Sequence, residues 1–138
     1  MPRFVWKDDY KIGDAFIDQH HRQLIELGNY LHKAVHEQKD LLILQDAFNA
    51  LLLYTQTHFR AEEEYFDSLG CPIMEEHKKL HRELEEEAQS LCRQNHAGFQ
   101  EMIGPTLENW METRLVRHMV VEDKKLAEAV ENSFLDLL

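Results

Sequence analysis

Seven side chains of this 138-residue chain combine metal-ligand chemistry with helical spacing. His58 and Glu62 stand four residues apart, as do His77 and His81, so each pair shares one face of a helix. His21, His118 and Asp123 fall on similar inward stripes in the flanking segments. Imidazole and carboxylate together suit borderline and harder divalent metals, and neither Cys71 nor Cys92 is well placed among them. One inward histidine is ordinarily a satisfied core residue. Five of them, spread over four helices, would bury too many unpaired polar rings unless a metal took their lone pairs. The pattern points to a metal centre.

Counting coordination positions says which kind. A lone ion cannot use seven protein ligands. Two octahedral ions offer twelve positions. Two bridging carboxylates fill four of them, a bridging oxide or hydroxide two, and five imidazoles five. One position stays open for a small exogenous ligand. Bundle enzymes that activate oxygen at di-iron sites use paired Glu-x-x-His motifs. This chain has none, the nearest acidic match being Asp18 three residues before His21. Two anionic and five neutral ligands stabilise high-valent iron less than a carboxylate-rich set, which favours reversible binding over substrate oxidation. The five-residue spacing of His118 and Asp123 overshoots one face of an ideal helix by about 140°. A local distortion is expected there.

The elements that must position these residues are helices. Five glycines and three prolines are few, and apolar residues recur at helical period in four segments, about 18–38, 41–69, 73–93 and 105–130. Asp18 is the expected N-cap of the first. Gly70-Cys71-Pro72 stops the second, residues 94–98 read as a loop, and Gly104-Pro105 opens the fourth. Residues 1–17, with Trp6, Tyr10 and Ile12, suit an extended arm packed on the domain. The expectation is one domain over 1–138, all-α, an antiparallel up-down-up-down four-helix bundle with an extended N-terminal arm. A net charge of −11 argues against nucleic acid and anionic membrane surfaces as partners. The apolar runs at 41–44 and 50–54 are too short to span a bilayer. No apolar leader segment is visible and the two cysteines form no CxxC. Reduced thiols and a cytoplasmic location are expected.

Read together, the motifs resemble those of the bacterial hemerythrins, non-haem oxygen-binding proteins with a di-iron centre in a four-helix bundle. Ile17-Asp18-Gln19-His20-His21-Arg22-Gln23-Leu24 is similar to the family's I-D-x-x-H-x-x-L, which selects His21 over His20. Asn29 follows at the usual place. His58-Phe59 with Glu62-Glu63 is similar to H-F-x-x-E-E. Gly70, Pro72, His77 and His81 keep family spacing, and His118 with Asp123 matches the closing H-x-x-x-x-D. The resemblance implies two iron ions with an oxo or hydroxo bridge. His77, His81 and His118 would hold one iron, and His21 and His58 the other, whose vacant position would take oxygen. Glu62 and Asp123 would bridge the pair, and Leu115 would line the oxygen pocket.

The chain also departs from the family. Arg114 stands where Trp is usual, with Trp110 a turn earlier. Either Trp110 fills the space and Arg114 turns outward, or a cation near the irons alters the pocket. Phe66 replaces the usual Met and Met119 the usual Ile, both volume-tolerant changes. Cys71 replaces an aromatic in the turn and reads as a surface thiol rather than a redox switch. His20 is expected to face away from the bundle centre. His32 and His36 form a further HxxxH with no facing carboxylate visible in the sequence, and His96 falls in a loop.

The expected function is reversible binding of molecular oxygen for storage, delivery or scavenging, without catalysis. The alternatives are sensing of oxygen, nitric oxide or redox state, and di-iron redox chemistry on peroxide, nitric oxide or ferrous iron.

Overall fold

The computed structural model describes residues 4–37, 41–96 and 106–136. Four helices form an up-down-up-down bundle: α1 (Ala15–His36), α2 (Leu41–Ser68), α3 (Met74–His96) and α4 (106–136). Gly104 and Pro105, expected to open the last helix, lie outside the described residues. So do 97 and 98 of the expected loop, whereas 94–96 are the helical end of α3.

The helix α1 starts earlier than its apolar stripe suggests. Asp14, not Asp18, is the N-cap, its carboxylate accepting from Ile17 N–H at 2.9 Å. Asp18 sits one turn in, where it accepts from the Ile12 backbone N–H at 2.8 Å and so ties the arm to the helix. The apolar stripe alone sets the start one turn late, because the path of the arm decides which aspartate caps the helix. The arm is held again at Phe4, which is buried. Its N–H donates to Asn29 Oδ1 (2.7 Å) and its carbonyl accepts from Asn29 Nδ2 (2.6 Å). Trp6 packs edge-on to Tyr10 with the Arg22 guanidinium 5.0 Å from its ring.

Gly70, at φ +69°, ends the turn after α2, where a side chain would be strained. Cys71 beside it is buried, not at the surface. Its Sγ lies 3.9 Å from the Leu126 carbonyl, and burial pushes the thiol pKa up. This depresses the reactive thiolate and makes Cys71 a small core residue.

Two apolar clusters bracket the bundle's polar centre. One contains Leu24, Leu51, Phe59, Leu84, Met111, Leu115 and Met119; the other is built on Ile17, Phe66, Met74 and Leu126. Phe66 and Met119, the residues that depart from family usage, are both buried in these clusters.

The helix α4 is not regular. It is π-helical over Met111–Val116 and again over His118–Glu122, then returns to α-helix from Asp123. At the second stretch Asp123 N–H donates to the His118 carbonyl, an i→i+5 bond. That bond closes one turn in five residues, so Asp123 comes to lie over His118. The distortion expected from the spacing is present.

Candidate metal centre

The helices bring all seven sequence-predicted residues to one buried point. His21 comes from α1, His58 and Glu62 from α2, His77 and His81 from α3, His118 from the π-helical part of α4 and Asp123 from the α-helical turn that follows it. Each is at most 5% exposed. Their ligand atoms form two groups: Glu62, His77, His81, His118 and Asp123, and then His21, His58, Glu62 and Asp123. Within each group the atoms lie within 4.8 Å of one another. The two carboxylates belong to both.

Each carboxylate turns one oxygen toward each group. Glu62 Oε1 lies 3.0 Å from His77 Nε2 and 3.1 Å from His81 Nε2, while Oε2 lies 3.3 Å from His58 Nε2 and 3.7 Å from His21 Nε2. Asp123 Oδ1 lies 2.9 Å from His77 Nε2 and 3.0 Å from His118 Nε2, while Oδ2 lies 2.8 Å from His21 Nε2. Among these pairs His77 Nε2 has hydrogen-bond geometry to Glu62 Oε1 and Asp123 Oδ1; the remaining short distances are not hydrogen bonds. The Nε2 atoms of His21, His58, His81 and His118, with Glu62 Oε2 and Asp123 Oδ2, are fully buried and lack hydrogen-bond geometry to any neighbour. A buried polar atom left so would be costly. Six of them converging are donors aimed at a common third body. The residues fit metal ions.

Electrostatics agree. Burial alone would lower the pKa of His21 and His77, yet the Asp123 and Glu62 carboxylates raise both to about 9. Burial alone would raise the two carboxylates, and for Asp123 the charge of Glu62 pushes the same way. The surrounding imidazoles outweigh this and hold both well below the ordinary carboxylate range. Without metal, protons on the imidazoles neutralise the carboxylates. With metal, they must leave.

Around the seven stands a set of supports that the sequence motifs leave without a role. His81 Nδ1 donates to Glu63 Oε2 at 2.8 Å, which points Nε2 into the centre. Arg82 donates to both Glu63 oxygens at 2.6 Å, and Arg82 and Arg60 also pair with Glu85. Phe59 stacks on the His81 ring at 4.0 Å with 4° between planes. His20 does not face away. It is half-buried, and its Nδ1 lies 3.0 Å from His58 Nδ1. Its pKa is lowered, by burial first and then by His58 and His21. A neutral His20 can therefore accept from His58 Nδ1–H. Glu63 follows Glu62 in the motif, but its spacing alone gives it no role, because its partner His81 stands on another helix.

Leu115 is fully buried, three residues before His118 and in the apolar cluster of Phe59. Arg114 points outward, its Nε 2.7 Å from Glu87 Oε1, while Trp110 is buried. The outward reading of Arg114 is the one the packing supports. Its side chain forms part of the rim of a cleft of about 280 Å³ lined also by Leu80, Leu84, Arg117 and His118.

A buried histidine–carboxylate cluster within a four-helix bundle defines a cation-binding bundle protein. The family model described as "Hemerythrin HHE cation binding domain" matches residues 13–130, and the chain belongs to that family. At family level this means non-haem iron and oxygen binding. The chain is 30% identical over 131 residues to a bacteriohemerythrin of Stenotrophomonas maltophilia, covering 95% of this chain and 84% of that one. It is 28% identical over 138 residues to a bacteriohemerythrin of Pseudomonas aeruginosa, covering 100% and 88%. A crystal structure of a hemerythrin with a leucine-to-tyrosine substitution superposes at a TM-score of 0.80. It shares 22% identity and covers 94% of this chain and 98% of that one. Among the described residues no helix is long and apolar enough to cross a membrane.

Proposed function

We propose that the chain binds molecular oxygen reversibly at a di-iron centre and serves as an oxygen carrier or store rather than an enzyme. One observation carries this reading: the two ligand groups share both carboxylates but are unequal, with three imidazoles in one and two in the other. Glu62 and Asp123 each turn one oxygen toward each ligand group, so both carboxylates would hold both ions. His77, His81 and His118 complete one side. His21 and His58 leave the other a ligand short. Iron, when bound by these residues, would supply the reversible binding of dioxygen.

The protein's own contribution is to fix the donors and exclude competing chemistry. Glu63 and His20 hold the tautomers of His81 and His58, so that Nε2 and not Nδ1 faces inward. Leu115 and Phe59 place apolar side chains in the adjoining core, where a small neutral diatomic is admitted more readily than a hydrated ion. Neither Glu-x-x-His nor an additional inward carboxylate is present in the centre to favour oxidising chemistry. Metal analysis of the purified protein tests the assignment. Two irons per chain are expected, and a protein that retains one iron or none overturns it.

A further inference from the structure

A second cluster lies away from this centre. His32 and His36 stand on α1, eleven and fifteen residues beyond His21, which places them about 16 to 22 Å further along the helix. The sequence shows no carboxylate opposite them. The fold brings one from α4: Glu108, 76 residues from His32 in the chain. Its Oε1 lies 2.7 Å from His32 Nδ1 and its Oε2 3.5 Å from His36 Nε2. One ligand atom from each of the three lies within 4.8 Å of the others. The two rings are 4.1 Å apart between centroids.

We propose that His32, His36 and Glu108 form a separate mononuclear site for a borderline divalent cation such as zinc. Two imidazoles and one carboxylate are a ligand set that such ions accept, with bonds of about 2.0–2.2 Å that set donor atoms roughly 3–4 Å apart. The observed spacings need only side-chain rotation to reach this. The four-residue spacing on α1 fixes both imidazoles on one face. Glu108 is only 5% exposed, so its carboxylate is committed to this corner of the bundle rather than to solvent. The side chain of His36 is 60% exposed, which opens the remaining coordination positions to water. The site shares no residue with the buried centre. A cation here clamps α1 to α4 at a point where an arriving ion needs no channel.

The test uses the iron-loaded protein, incubated with zinc and freed of excess by gel filtration, with zinc and iron counted per chain. One zinc per chain with iron unchanged is expected, together with a rise of a few degrees in Tm. His36→Ala, an exposed position, should abolish zinc retention while leaving the iron content and fold intact. Glu108→Gln should weaken zinc tenfold or more. Zinc retained equally by His36→Ala, zinc gained only as iron is lost, or no zinc retained by the parent protein would each overturn the proposal. The iron count shows whether the buried centre is filled, so zinc lost in His36→Ala at unchanged iron is assigned to this site, separately from what the other centre binds.

Discussion

The Glu63 carboxylate is predicted to set how tightly the centre holds its metal without touching that metal. It accepts from His81 Nδ1 at 2.8 Å and is pinned by Arg82 at 2.6 Å to both oxygens. Burial alone would raise its pKa, but His81, Arg82 and Arg60 lower it, so it is ionised throughout the neutral range. Supporting partners of this kind contribute roughly 10–100-fold to metal affinity, or about 1.4–2.8 kcal/mol. Glu63→Gln keeps an acceptor and loses the charge, so it belongs at the lower end of that range. Glu63→Ala loses both and belongs at the upper end. Arg82 retains Glu85 at 2.8 Å in either variant, which limits collateral damage. The assay is iron loss to a chelator, followed beside thermal unfolding of the metal-free protein. Iron should leave the alanine variant faster than the glutamine variant, with little change in metal-free Tm. Both variants holding iron as firmly as the parent would refute the reasoning. So would a loss of stability that fully accounted for the iron lost.

Three further predictions follow from the same geometry. Metal-free protein should lose stability as pH rises from about 6.5 to 9, and loaded protein should not. The raised pKa of about 9 on His21 and His77 gives stability that is complete below 6.5 and lost as pH passes 9, a loss the two imidazoles share because both pair with Asp123 and Glu62. The depressed Glu62 and Asp123 act in the opposite sense, giving stability lost in acid, so the metal-free optimum lies near pH 5 to 6.5. A flat metal-free Tm profile across that alkaline range would contradict this. His20→Ala should loosen the iron on the two-imidazole side by about tenfold, seen as early release of half the iron to chelator; uniform release of both would exclude a role for His20. Gly28→Ala should cost about 1 kcal/mol in unfolding experiments, because its new methyl would press into the fully buried Met111 at a cost of roughly 1–3 kcal/mol against a helix-propensity gain near 1. A stabilised variant would show that Met111 has room to move.

Much of the site could be read from the sequence because its key spacings are local. Four-residue pairs on a helix state their own geometry, which is why His58 with Glu62 and His77 with His81 were legible. The five-residue step from His118 to Asp123 announced a distortion, and a π-helical turn supplies it. What could not be read depends on which helix faces which. His20 sits beside a ligand and by period alone should point elsewhere, yet it meets His58 from another helix. Glu63 finds His81 across α2 and α3, and Glu108 finds His32 across 76 residues of chain. Asp14 and Asp18 carry the same chemistry, and only the route of the arm makes one a cap and the other an anchor. Cys71 looked like a surface thiol because turns usually lie at the surface, but this turn folds its side chain against α4.

The most direct measurement is the absorption of the iron-loaded protein through repeated cycles of air and vacuum, with oxygen uptake counted per chain. A charge-transfer band is expected to appear with one oxygen per two irons and to disappear under vacuum, with full amplitude regained each cycle. A band that forms once and does not reverse, or uptake of oxygen without any return, would contradict reversible binding.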